Sequence, residues 1–187
     1  MRRIILLGSI LLIANAAVQM TGKEQSLNNS EPVPVNFVDL KMYAGVWYEI
    51  GKIPNTFQRK CAMNTTATYR LRDDGDIDVT NRCTESDGSE SVANGIARVV
   101  DLKTNSKLEV SFVNILGLRL FWGDYWIIGL DRDYRYAVVG TPSRKYGWIL
   151  SRTPALSSDD LNVIDGILAA QGYNPKDFVK TEQTAGR

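Results

Sequence analysis

From residue 45 onward apolar residues tend to alternate with polar ones, and turn formers interrupt them about every ten positions, the pattern of an antiparallel sandwich or barrel. It predicts strands over 45–53, 64–72, 76–84, 90–101, 106–113, 123–131, 134–141 and 146–152. The links between them include Asp73-Asp74-Gly75, Ser86-Asp87-Gly88, Thr104-Asn105, Arg132-Asp133 and Ser143-Arg144, short and polar as antiparallel neighbours require. The expected fold is all-β, an eight-stranded up-and-down antiparallel barrel, or calyx. A barrel of that size is just wide enough to hold one small ligand, and closure removes the edges that invite aggregation.

The period changes after Pro154. Ser157 is placed to cap a helix, Asp160 favours the positive end of its dipole, and Leu161, Ile164 and Leu168 fall on one face, with Gly172 as the stop. One C-terminal α-helix is therefore expected to pack outside the barrel, followed by a short strand near 178–181.

At the other end, Arg2 and Arg3 precede an apolar run from Ile4 to Val18, and Ala14-Asn15-Ala16 has the small residues of a signal-peptidase site. The run is shorter than the roughly 20 residues a membrane-spanning helix needs. The expected organisation is a signal peptide over 1–16, a flexible leader over 17–36, the folded domain over 37–181 and a tail over 182–187. No cysteine near the cleavage region can accept a lipid anchor.

Composition excludes whole classes of function. The 22 basic and 21 acidic residues give a near-neutral field, which disfavours nucleic acid as a partner. With no histidine, histidine-based nucleophile pairs and histidine-ligated zinc or haem are gone. No catalytic group, metal or cofactor is implied.

Alternation also assigns the interior. Ala67, Tyr69 and Leu71 share one face, as do Ile77, Val79 and Asn81, then Gly95, Ala97 and Val99, then Leu108, Val110 and Phe112. The candidate pocket is Tyr69, Asn81, Ala97, Val99, Val110, Phe112, Tyr125, Ile127, Tyr136 and Trp148. Small inward residues leave such a lumen incompletely filled. An inward Asn81 needs a hydrogen-bond partner, supplied either by a ligand or by neighbouring backbone. The stretch 114–122 is unusually apolar for a loop at the open mouth. It either folds back over the entrance or contacts a membrane surface, a second subunit or an acyl chain, through Ile115, Leu116, Leu118, Leu120 and Phe121.

Three pieces fall at the closed base: Gly45-Val46-Trp47, Asp133-Tyr134, and Arg152. Arg152 is positioned to lie across the Trp47 indole while reaching backbone carbonyls, closing the barrel. In this order and spacing the motifs resemble the lipocalin family over roughly residues 37–181, and most of all the bacterial outer-membrane lipocalins and apolipoprotein D, through Trp47-Tyr48-Glu49-Ile50, Ala67-Thr68-Tyr69, Trp148-Ile149-Leu150-Ser151-Arg152 and Gly172-Tyr173. Arg132 stands where that family often has threonine, and the lipobox cysteine of its bacterial lipoproteins is missing.

Cys61 and Cys83 most simply form a disulfide in an exported protein. A turn centred on Asp74-Gly75 pairs Cys83 with Thr66, so Cys61 reaches it only if the preceding chain curls back. The alternative is a free thiol, which a lipocalin-fold enzyme of isomerase or lipid-converting type would need. The resemblance implies instead a non-enzymatic extracytoplasmic carrier, periplasmic or outer-membrane-associated, monomer or homodimer. Its ligand would be a fatty acid or lysophospholipid, with a role in lipid storage, transfer or membrane maintenance.

Overall fold

A computed structural model describes residues 30–115 and 118–184; the expected signal peptide and Leu116 lie outside the described residues. Strands β1 (Gly45–Lys52), β2 (Cys61–Leu71), β3 (Ile77–Glu85), β4 (Glu90–Val99), β5 (Lys107–Ser111), β8 (Gly123–Leu130), β9 (Tyr136–Gly140) and β10 (Gly147–Ser151) run in order around one antiparallel sheet. Pairing of Tyr48 with Ser151 and Lys52 with Trp148 joins β1 to β10 and closes the barrel. Alternation therefore specified both the strands and their up-and-down order.

Between β5 and β8 the expected loop is a second, two-stranded sheet, β6 (Val113–Ile115) with β7 (Leu118–Leu120). The Ser111 hydroxyl donates to the Leu120 carbonyl at 2.6 Å and pins the hairpin to the barrel wall. Alternation is present but short: Asn114 and Arg119 pair on one face while Val113 pairs with Leu120 and Ile115 with Leu118 on the other, three residues a strand, too few to stand out from the apolar run around them.

The base is sealed by chain that precedes β1. Asp39 caps a single helical turn, α1 (Leu40–Tyr43), its carboxylate accepting the Lys41 and Met42 amides. The docked chain starts before Phe37: the Val35 amide donates to the Ile127 carbonyl, and Val38, fully buried, donates to Thr104. Phe37 itself is exposed.

Helix α2 (Ser158–Ala170) packs outside as expected. The Ser157 hydroxyl accepts the Asp160 amide at 3.1 Å and donates to the Asp160 carboxylate at 2.7 Å, and Gly172 takes φ +77° just past the end. Ile164 and Leu168 are fully buried against Trp126, Ile128, Val138 and Ile149, whereas Leu161 is exposed. The buried stripe is carried by Ile164, Ile167 and Leu168. A short strand, β11 (Val179–Lys180), then pairs with the free edge of β1.

Two apolar clusters result. One fills the lower lumen around Trp47, Tyr69, Ile127, Val139 and Leu150; the other lies between the sheet and α2.

Candidate functional site

The closed end is held by Arg152. Its guanidinium sits 3.9 Å above the Trp47 ring centroid and donates to the Val46 carbonyl at 2.8 Å, the Ala44 carbonyl at 2.9 Å and the Met42 carbonyl. Gly45 takes φ +95°, a backbone conformation that favours glycine. The Tyr134 hydroxyl accepts the Asp39 amide at 2.8 Å, tying the β8–β9 turn to the same seal. Asp133 does not share this role. It is exposed, and the neighbouring Asp131 organises the turn by accepting the Asp133 and Arg135 amides and pairing with the Arg135 guanidinium at 2.9 Å.

Above this seal the wall carries the expected pocket residues except Tyr136. Tyr69, Ala97, Val99, Val110, Tyr125, Ile127 and Trp148 all belong to the lumen cluster. The Phe112 ring packs across Gly95, so closely that a Cβ there would come within 2.7 Å of it. Tyr136 turns outward, into the cluster beneath α2. All five residues of β9 are buried, because the helix covers its outer face. A strand covered on both sides shows no alternation from which to read its register. Ala137 and Val139 are the residues of β9 that face inward.

Ala67, Asn81, Val110, Tyr125 and Trp148 keep part of their surface accessible although strand pairing fixes each of them in the wall. Trp47, Val38, Ile127 and Val139 lower down keep none. Burial is complete at the base of the lumen and partial above it.

Three tyrosines meet within it. The Tyr125 hydroxyl is 2.8 Å from that of Tyr43 and 2.9 Å from that of Tyr69. Tyr43, which the sequence reading missed, arrives from α1 and packs at a tilt against Trp47, ring centroids 4.9 Å apart. Burial keeps all three neutral: it pushes Tyr69 up to about 12 and raises Tyr43 and Tyr125 well above the usual value near 10. Stability from a raised value is complete below pH 10 and is lost as pH rises through the folded-state value. Above pH 10 the unfolded chain releases these phenolic protons while the folded barrel holds them, so stability falls as pH rises. The urea midpoint is therefore expected to drop between pH 9.5 and 11, and Tyr69→Phe to flatten that drop.

The open end is aromatic. Phe57 lies 5.5 Å from Tyr146 and 6.3 Å from Trp148, and Tyr146 stacks on Trp148. On the hairpin, Ile115, Leu118 and Phe121 are 52%, 67% and 80% exposed, Leu120 is half-buried, and the Arg98 guanidinium covers the adjoining Trp122 at 4.1 Å. Cys61 and Cys83 form a disulfide at this rim, with Cα atoms 5.5 Å apart. The ladder pairs Thr66 with Arg82, one residue from the expected partner Cys83, and two register shifts in β2, between Cys61 and Met63 and between Met63 and Thr66, set Cys61 opposite Glu85, close enough to bond Cys83 diagonally. Neither cysteine is free, so the thiol that the enzyme alternative required is absent.

Between β1 and β2 the wall splits, for their ladder ends at the pair Tyr48–Thr66. The chain around β11 fills the gap. The Asn64 amide donates to the Glu182 carbonyl at 2.8 Å, and the Gln183 side-chain amide donates to the Glu49 carbonyl at 2.8 Å and the Thr65 carbonyl at 2.9 Å. Residues 182–184, expected as a tail, thus form part of the wall. Glu49 faces inward opposite Leu150 and is 3% exposed. Its carboxylate pairs with Lys52 at 2.8 Å and accepts from Thr181 at 2.6 Å and Gln58 at 2.7 Å, so the buried charge is both paired and hydrogen-bonded. Gln58 in turn accepts the Trp148 indole N–H at 3.0 Å. Three buried atoms here and just below have no partner: Thr65 Oγ1, Asn81 Oδ1 and Gln183 Oε1.

Comparison with known proteins bears on this arrangement. A family model described as a lipocalin-like domain matches residues 38–183. The outer membrane lipoprotein Blc of Escherichia coli K12 is 37% identical over 161 residues, covering 82% of this chain and 88% of its own. Mouse apolipoprotein D is 32% identical over 161 residues, covering 82% of this chain and 81% of its own. Insecticyanin from the tobacco hornworm superposes with a TM-score of 0.67 at 22% identity, over 81% of this chain and 84% of that one. Among the described residues no helix is long and apolar enough to cross a membrane.

Proposed function

The chain belongs to the lipocalin family, and on that premise we propose that it is a non-enzymatic extracytoplasmic carrier that holds one small hydrophobic molecule in the upper lumen. The observation that carries this reading is the accessible surface kept by Ala67, Val110, Tyr125 and Trp148 in the wall of a closed barrel. Each methylene buried there contributes about 0.8 kcal/mol, so an acyl chain gains affinity without a directed bond. Fatty acid or lysophospholipid is the ligand class of this proposal, with Tyr69, Asn81, Ala97, Val99, Val110, Phe112, Tyr125 and Trp148 as the contacting set; Ile127, which keeps no accessible surface, belongs to the floor beneath them. The relatives named outer membrane lipoprotein Blc and apolipoprotein D support an association with lipid, and the bacterial one, together with the apolar N-terminal run, supports export to the periplasm or outer membrane.

Titration with a fluorescent fatty acid tests it. Saturable binding at one site is expected to quench tryptophan emission, and Trp148→Phe to remove most of that quenching. Absence of saturable binding would overturn the proposal.

The exposed residues Ile115, Leu118 and Phe121 form an apolar patch beside the mouth, through which the carrier would take up its ligand from a lipid surface. Leu118→Ala with Phe121→Ala is expected to slow uptake from phosphatidylglycerol-containing vesicles several-fold, with affinity for dispersed ligand unchanged. Equal uptake rates and an unaltered oligomeric state would remove this role from the hairpin.

A further inference from the structure

We infer that the split between β1 and β2 is a subsite for the polar head of the ligand, and that it selects an uncharged hydroxyl-bearing head over a carboxylate. The inference rests on the carrier reading and ranks ligands within it: a fatty acid still binds through its chain, but less tightly than a lipid of the same chain length with a hydroxyl head.

Thr65 follows Ala67 and Tyr69 on the inward side of β2 and is 4% exposed, yet its hydroxyl has no partner. Asn81 faces inward from β3, paired with Ala67, one step further down the same wall, and its amide oxygen is also buried and unpartnered. Gln183 completes the set. Its nitrogen is fixed by the Glu49 and Thr65 carbonyls, so its remaining buried atom must be the acceptor Oε1, which likewise has no donor. A buried polar atom left without a hydrogen bond costs about 1–3 kcal/mol. Three of them on one stretch of wall indicate a site completed by something else.

The chemistry of the missing group follows from what is already satisfied. Lys52 is already committed to Glu49, which accepts two further hydrogen bonds, so Lys52 is not free to balance a second carboxylate. An ionised carboxylate would bring a second negative charge and no hydrogen toward the Gln183 oxygen, and its burial would be uncompensated. An ammonium head would have to displace Lys52 to find a counter-charge. A hydroxyl head matches the inventory, donating to Gln183 or Asn81 while accepting from Thr65.

The test uses the full-length protein at pH 8 with two ligands of one chain length, myristate and 1-monomyristoylglycerol, each titrated calorimetrically below the concentration at which it aggregates. The glyceride is expected to bind about tenfold more tightly. Thr65→Val and Asn81→Leu, both of which leave the Gln183 clamp on backbone carbonyls intact, are expected to bring the two affinities within about twofold. Thermal melts confirm that each variant is folded. Equal affinities in the parent protein, as when a trapped water satisfies these atoms, or an unchanged ratio in both variants, would refute the subsite and leave the carrier standing. Binding of neither ligand would refute both.

Discussion

Trp47→Ala is expected to cost about 3–5 kcal/mol of unfolding free energy, a large share of the roughly 5–15 kcal/mol that holds a domain of this size together. Trp47 is fully buried, donates its indole N–H to the Tyr43 carbonyl at 2.8 Å, and forms the floor on which both Tyr43 and Arg152 pack. Truncation removes that floor and opens a cavity between the barrel and its N-terminal seal. Arg152→Ala is expected to cost less, about 2–3 kcal/mol, since its partner carbonyls near the surface can take up water. Urea unfolding of both single variants and the double variant isolates the coupling, expected at about 0.5–2 kcal/mol for a cation stacked on an indole. Additive losses would show that the two side chains act independently. Because this contact lies below the packed floor of the lumen, Trp47→Phe is expected to leave probe binding close to that of the parent.

The second large effect belongs to the disulfide. Cys61 and Cys83 lie 22 residues apart, and closing a loop of that size restricts the unfolded chain by about 3 kcal/mol in the entropy account. The paired replacement Cys61→Ala with Cys83→Ala is expected to lower stability by that amount, and reduction of the parent protein to reproduce it. The disulfide also fixes the double register shift at the start of β2. Amide exchange at 61–65 should therefore accelerate more than exchange around Tyr69, where the ladder with β3 is regular. A loss below about 1 kcal/mol would mean that the rim is held by strand pairing alone.

How much of this was legible in the sequence depended on whether each residue left a local signature. Strands with one face in the lumen and one in water alternated, and the face of each residue followed, although the β2–β3 register fell one residue from the expected pairing, with Thr66 opposite Arg82. The Gly45-to-Trp47 motif and Arg152 were legible because few residue types can stack on an indole and bind carbonyls at once. Tyr136 was misplaced for the opposite reason, as β9 is covered on both sides. Tyr43 and Gln183 were invisible because each reaches its place through tertiary docking. The sign available for Tyr43 was the Asp39 cap four residues before it; for Gln183 there was none. Asp131 and Asp133 differ only in which carboxylate folds back on the turn, a choice that composition does not encode. The cysteine pairing was anticipated, but not the two register shifts that achieve it, of which the one between Met63 and Thr66 contains Asn64 at φ +55°, a conformation asparagine tolerates better than most residues.

The seam between β1 and β2 also has a consequence for the order of assembly. Gln183 meets Thr65 across 118 residues of chain, so the first-made hairpins wait for the last-made segment before their shared wall is continuous. Contacts this distant form slowly. A nascent chain would pass through a gapped intermediate with its greasy interior turned to the surroundings, a stage at which a chaperone or an early-bound lipid has the most to protect.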